Sequence, residues 1–262
     1  MVASNAPIVV AVDGSDEALR AVRWAAAEAV REAAPLSVVS VVEPFIAPFG
    51  QNVAGWVEAE QYVEAARGLA QGTVDVALDL VAEIAPAVSA DGEVIDGRPA
   101  LGLRELSSRA RMIVVGRRGK GGVVGQLLGS VSSDIAAHSN CPVVVVGERL
   151  PESGPVVVGV DGSPASTGAF TQAFVHADML GTSLVAVHSY GGFAGDAFYG
   201  QGAEVLRRLN DEAVQSLGSQ LAGYREDHPD VTVTPFISAS PAASAIVEAA
   251  GDARLIVVGS RG

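Results

Sequence analysis

Short, continuously apolar runs alternate along the chain with longer stretches whose apolar residues recur at helical spacing. IVVAV (8–12), LSVVSVV (36–42), EVID (93–96), MIVVG (112–116) and PVVVV (142–146) read as strands. Most are apolar throughout rather than at every second position, the pattern of strands covered on both faces. Between the first two, Ser15 or Asp16 caps a helix to about Ala33, with Leu19, Val22, Ala26 and Val30 as its apolar stripe. A second helix carries Leu69, Val76, Leu80 and Ile84 on one side, its start blurred by Gly68 and Gly72. Strand–helix alternation of this kind predicts a parallel sheet with helices on both faces. Right-handed crossovers reduce the topology to a few doubly wound, Rossmann-like folds.

The pattern occurs twice. IVVAVDGS (8–15) returns as VVVGVDGS (156–163), so Asp161 follows Asp13 by 148 residues. LSVVSVV lies over LVAVHSY (184–190) at the same offset, and MIVVGRRG (112–119) over LIVVGSRG (255–262) at 143. The helix between the last two carries Leu206, Ala213, Leu217 and Leu221. Two tandem α/β domains are predicted, 1–148 and 155–262, joined by the polar Pro/Gly stretch GERLPESGP (147–155). Copy one continues 28 residues past Gly119 to Gly147, whereas the sequence stops at the matching Gly262. The second copy therefore lacks its last helix and strand here. We expect a chain shortened at that end, because loss of an outer strand would bare the apolar edge of its neighbour.

Composition narrows the function. With 17 Lys and Arg against 30 Asp and Glu, a net charge of −13 excludes nucleic acid as the general partner. One cysteine, Cys141, excludes an internal disulfide and a multi-cysteine metal site. No apolar stretch reaches the ~20 residues of a membrane span, and MVASNAPIVV lacks the form of a signal peptide, so a cytoplasmic protein away from the membrane is expected.

Against that acidic background stands GRRGKGGVVGQLLGS (116–130), between a predicted strand and the predicted helix VSSDIAAHS (131–139). Its glycines let backbone N–H groups turn inward onto a ligand. Ser130 falls at the helix N-terminus, where N–H groups and the dipole favour an anion, and Ser132 adds a second hydroxyl. Arg109, Arg111, Arg117, Arg118 and Lys120 lie nearby with no acid between Leu106 and Ser133. A phosphate-bearing small molecule suits this loop; a solvated glycine-rich surface loop is the competing reading. The loop is neither GxxxxGK[ST] nor a GxGxxG fingerprint. Asp13, followed by Gly14 and Ser15, closes the first strand, where ligands sit in open parallel sheets, and Asp161 repeats it. Such a carboxylate either accepts hydrogen bonds from a nucleoside or caps the next helix, and both readings stand.

The residues quoted resemble the universal stress protein family in its tandem two-domain form, over nearly the whole chain. The family signature is Gly, two residues, Gly, nine residues, then Gly-Ser or Gly-Thr. Gly116, Gly119, nine residues and Gly129-Ser130 match it in full, beside VAVDGS and CPVVVV. The resemblance implies an adenine nucleotide α-hydrolase-like fold binding ATP, with Mg²⁺ as its usual companion. Carried over by position, Asp13 meets the nucleoside and Val41 borders adenine. Gly116, Arg118, Gly119, Gly129, Ser130 and Val131 hold ribose and phosphates. In copy two Asp161, Gly259 and Gly262 match, but the Gly-Ser arm is absent and Ser189 replaces the valine. The resemblance also implies a homodimer through the outer strand and a regulatory protein partner.

An ATP-binding regulatory stress-response protein is thus the leading reading, with at most slow hydrolysis, since no general base near the phosphates can be named. An adenylating enzyme of the nucleotide α-hydrolase type would need an SGGxDS-like loop where VDGSDEA stands. A module binding FAD or AMP, as in electron-transfer flavoproteins, and an interaction module with an empty pocket are further alternatives. A nucleophilic pair of Cys141 with His138 lacks a third group to orient the histidine. Trp24 reads as packing. Phe45, Phe49 and Trp56 (loop 43–56) and Phe193, Phe198 and Tyr199 (191–202) read as irregular surface packing rather than lids.

Overall fold

The computed structural model describes residues 5–43, 53–119, 128–163, 166–190 and 202–260, with side chains of the helices that begin at 53 and 202 described from 61 and 207 onward. The chain divides into two compact units, Met1–Leu150 and Pro151–Gly262. In the first, β1 (Ile8–Ala11), α1 (Asp16–Arg31), β2 (Leu36–Val42), α2 (Val53–Ile84), β3 (Ala90–Asp96), α3 (Pro99–Leu106), β4 (Met112–Gly116), α4 (Ser130–His138) and β5 (Val143–Val146) follow in order. The strands pair in parallel as β3-β2-β1-β4-β5. The second unit runs β6 (Val156–Val160), α5 (Ser166–Met179), β7 (Leu184–Ser189), α6 (Gly202–Asp227), β8 (Val233–Ser238), α7 (Ala242–Ala249) and β9 (Leu255–Val257). Its four parallel strands are ordered β8-β7-β6-β9. Both units are doubly wound.

Period-two geometry sends alternate strand residues to opposite faces, and here both faces are covered. Ile8, Val10, Val38, Met112 and Val114 pack with Val22 and Ala26 of α1 and Val74 and Val81 of α2. Val9, Val39, Ile113 and Val115 pack with Leu103 and Leu106 of α3 and Ile135 of α4. In the second unit Val156 and Val158 meet Phe170, Phe174, Leu217 and Leu221, while Val157 and Val187 meet Ala245. The buried face of α1 is mostly alanine (18, 21, 25, 26 and 29), which lets the helix lie close to the sheet. Trp24 packs at the margin of that core.

Several expectations need correction. On α2 the buried stripe is Val74, Ala77, Val81 and Ala85, whereas Leu69 and Val76 are 77% and 56% exposed. The predicted stripe on α2 is therefore the wrong one, Leu80 alone of it reaching the core margin and Ile84 being exposed. At the closest approach of α2 to β3, a Cβ at Gly92 would overlap Val74, so the glycine makes room for the helix. β3 itself begins at Ala90, three residues before the expected start; as an edge strand it has exposed polar positions and no apolar run to mark it. Val30 at the end of the α1 stripe is exposed. β9 spans three residues where the repeat predicts five, and it pairs with β6 only. Its counterpart β4 is extended to Gly116 by pairing with β5. Among the described residues no helix is long and apolar enough to cross a membrane.

Candidate functional site

In the first unit the chain leaves β1 for β2 on one side and leaves β4 for β5 on the other, so the strand order reverses between β1 and β4. The crevice beyond their carboxyl ends is where open α/β sheets hold ligands. Asp13 reaches it from β1, and Gly116 to Gly119 from β4.

The Asp-Gly-Ser turn is a relay from strand to helix. Gly14 has φ +77°, which disfavours any side chain. This brings Ser15 back under Asp13, whose Oδ1 accepts hydrogen bonds from the Ser15 backbone N–H (3.0 Å) and hydroxyl (2.6 Å). The Ser15 oxygen in turn accepts from the Ala18 N–H at 3.2 Å as the cap of α1. The second unit repeats the turn: Gly162 has φ +79°, and Asp161 Oδ1 accepts from the Ser163 N–H at 2.9 Å. Hydrogen bonding by Ser163 holds the Asp161 carboxyl below the ordinary carboxylate range. Turn formation thus engages Oδ1. In the first unit the other oxygen, Oδ2, lies where a Cβ on Gly119 would sit, so the loop after β4 approaches Asp13 as closely as glycine permits.

Gly116 is equally constrained, since a Cβ there would lie 2.9 Å from the backbone carbon of Glu17. Glu17, in the first turn of α1, accepts the Arg118 backbone N–H at 2.6 Å through Oε2. Its Oε1 lies 3.8 Å from Arg117 and 3.7 Å from Arg118, and Arg20 stands 3.8 Å away on the same helix. Glu148, just beyond β5, pairs with Arg117 and lies 3.4 Å from Arg118 Nη2. Ser15, Asp16, Glu17, Arg20, Arg118 and Gly119 line an open cavity of about 340 Å³.

At the loop's far end, the Gly129 N–H returns to the Arg117 carbonyl (2.9 Å), closing the glycine segment at its base. Gly129, not Ser130, is the N-cap of α4, and it supplies no side-chain acceptor to the first-turn N–H groups. Ser130 is the exposed first residue of the helix. Ser132 is buried and donates to the Arg117 carbonyl at 2.8 Å, with the Gly129 carbonyl at 3.2 Å. Its hydroxyl therefore staples the two ends of the loop. The Val131 side chain packs into the α3–α4 core, leaving its backbone as the part that can face a ligand. Val41, half-buried near the end of β2, belongs to that same face.

The basic run is divided by the strand it flanks. Arg109 and Arg111 stand at the amino end of β4, paired with Glu93 (3.8 Å) and Glu32 (2.7 Å), so they belong to the opposite end of the sheet. Arg118 lines the crevice, and Arg117 stands beside it against Glu17 and Glu148; Lys120, with 120–127, lies outside the described residues. Two carboxylates there, Glu17 and Glu148, were not anticipated. An acid in a first helical turn is ordinary dipole chemistry, and Glu148 falls in a stretch read as linker.

In the second unit Gly259 follows β9, Gly262 lies outside the described residues, and Ser189 donates to the Ser240 carbonyl at 2.6 Å. His138 Nδ1 turns to the Asp134 carbonyl at 2.9 Å, while Cys141 Sγ lies 3.5 Å from the Ser139 oxygen. These two side chains are thus engaged separately. Burial raises the Cys141 thiol pKa above its ordinary value, with hydrogen bonds from Ser139 opposing the shift. Residues 44–52 and 191–201, with Phe45, Phe49, Phe193, Phe198 and Tyr199, lie outside the described residues, and Trp56 falls on α2 rather than in a loop.

Fold and crevice together define a tandem, doubly wound α/β protein with its candidate site at the carboxyl ends of β1 and β4. The sequence matches the Universal stress protein family twice, over residues 5–147 and 153–262, and the chain belongs to that family. It is similar to universal stress protein Rv1996 of Mycobacterium tuberculosis, 36% identical over an alignment 281 residues long that covers 99% of this chain and 87% of the relative. For universal stress protein Rv2005c of the same organism the identity is 34% over 267 residues, covering 97% and 87%. Among solved structures, a universal stress protein from Archaeoglobus fulgidus DSM 4304 has a TM-score of 0.58 at 16% identity, covering 94% of this chain and 81% of that one. That likeness speaks for the fold.

Proposed function

We propose that the first unit binds an adenine nucleotide, ATP with Mg²⁺, and that occupancy regulates contacts with a second copy of the chain and with a partner protein. The observation that carries this reading is the meeting of Asp13 with Gly119. It joins a carboxylate suited to nucleoside groups to a glycine segment suited to phosphates, across the crevice between β1 and β4.

The residues present suit such a ligand. Gly116 and Gly119 keep the backbone bare where a Cβ would run into Glu17 or Asp13. The first turn of α4 offers N–H groups without a side-chain cap, and exposed Ser130 adds a hydroxyl. Arg117 and Arg118 supply positive charge. In this reading Asp13, with Gly14 and Ser15 shaping its turn, meets the nucleoside and Val41 borders the base. Gly116, Arg118, Gly119, Gly129, Ser130 and Val131 surround ribose and phosphates, and Ser132 holds the loop closed. Asp161, Gly259 and Gly262 form the corresponding partial set in the second unit. The outer strand β5 is the surface assigned to a second copy. Regulation rather than turnover is the role assigned to the site.

Denaturing the purified protein and identifying the released nucleotide by chromatography tests the reading directly. Titration of the emptied protein with ATP should then show saturable binding. Gly119→Ala pushes a methyl into Asp13, and Asp13→Ala removes the carboxylate; each should weaken ATP by about tenfold, close to 1.4 kcal/mol, with the circular dichroism spectrum unchanged. Unchanged affinity in both variants would remove this assignment.

A further inference from the structure

The arginines of the proposed phosphate seat are already engaged by an anion from outside the sheet's own loops. Glu148 is the second residue after β5, on the stretch that leads to β6 of the second unit. Its carboxylate is 65% exposed, yet it pairs with Arg117 and reaches Arg118 Nη2 at 3.4 Å. Glu17 approaches the same two guanidinium groups from α1, but its situation differs. It is 15% exposed, accepts the Arg118 backbone N–H at 2.6 Å and stands against Gly116, so it is part of the fold. Glu148 has only its arginine contacts to hold it there among the described residues.

We propose that Glu148 is a displaceable clasp: it occupies the arginine pair while the seat is empty, and an incoming polyphosphate takes those arginines and releases the segment between β5 and β6. The inference rests on the nucleotide reading above and adds its means of regulation. Like charge drives the exchange. A bound polyphosphate brings several negative charges to guanidinium groups that Glu148 holds through a single exposed carboxylate. Arginine favours the phosphate because its planar fork matches two oxygens at once. An exposed carboxylate on arginine is a weak tether, which suits a contact that must open. The backbone bond from Arg118 to Glu17 keeps the loop's start in place while Glu148 leaves.

Arg149, the next residue, is exposed and followed by Leu150, so trypsin reads the clasp directly. The full chain is digested under limiting trypsin without ligand, with ATP and Mg²⁺, and with adenosine, and the 1–149 and 150–262 products are followed by mass. ATP affinity is measured alongside for the wild type and Glu148→Gln. The clasp predicts that ATP accelerates the cut after Arg149 several-fold while adenosine, having no phosphate, does not. In Glu148→Gln, ATP should no longer change the cleavage rate, and ATP should bind about two- to fivefold more tightly. ATP binding of equal strength in both proteins, with a cleavage rate indifferent to ATP in the wild type, overturns the clasp and leaves the nucleotide site standing. Absence of ATP binding in both proteins overturns the nucleotide reading and the clasp with it.

Discussion

At Gly119 a single methyl group would collide with the carboxylate of Asp13, a residue more than a hundred positions earlier. Few observations tie two distant motifs together so directly, and none of it depends on charge. The glycines of the loop and the aspartate at the strand end were each legible as residue types with a stated chemistry. The sequence also pairs the two as walls of one site; what it could not supply is the specific approach of Asp13 Oδ2 to Gly119, which depends on β1 and β4 being neighbours in the sheet. Ser132 shows the opposite case. As a hydroxyl in a glycine-serine segment it read as a phosphate ligand, but burial against the Arg117 carbonyl makes it a staple. Burial raises the pKa of Cys141, so the reactive thiolate is scarcer at a given pH than in a free thiol. Alkylation by iodoacetamide at pH 8 should run several-fold slower in the folded protein than in the same chain in 6 M guanidinium, and should still be rising with pH above 9. Equal rates in the two states would contradict it.

Among the elements, α1 does the most to build the crevice: its cap ties down the Asp-Gly-Ser turn, and its first turn presents Glu17 to the loop after β4. Ser15→Ala removes both the cap of α1 and a donor to Asp13. The expected loss is about 1 kcal/mol for the cap, with a further small loss for the turn, read as a lower urea midpoint by tryptophan fluorescence. Most of α1 was legible, since Ser15 precedes an acidic first turn and an apolar stripe. α2 was legible as a helix but not in its facing. Leu69 and Val76 look outward, while Val74, Ala77 and Val81 are buried, Val74 lying over Gly92 of β3. Valines stand on both sides of this helix, so apolarity alone could not say which side meets the sheet.

Each unit of the molecule has its own hydrophobic core. Both tryptophans, Trp24 and Trp56, lie in the first unit, whereas the stacked rings of Phe170, Phe174 and Tyr224 lie in the second. Phe174→Ala should destabilise the second unit by about 3–5 kcal/mol through the cavity it leaves. In urea the circular dichroism curve should split or shift to lower denaturant, while the tryptophan curve and ATP affinity stay in place. A shift of both curves together would show one cooperative body instead. The repeat, the α/β class, the parallel strands and the glycine segment with its helix start all follow from local pattern and spacing, which is why the sequence alone determined them. Which arginine lines the crevice, which hydroxyl is a staple and which carboxylates stand against Arg117 and Arg118 were decided only in the folded chain. Strand order brings together residues that no spacing rule relates, and a side chain's partner depends on what the sheet sets opposite it.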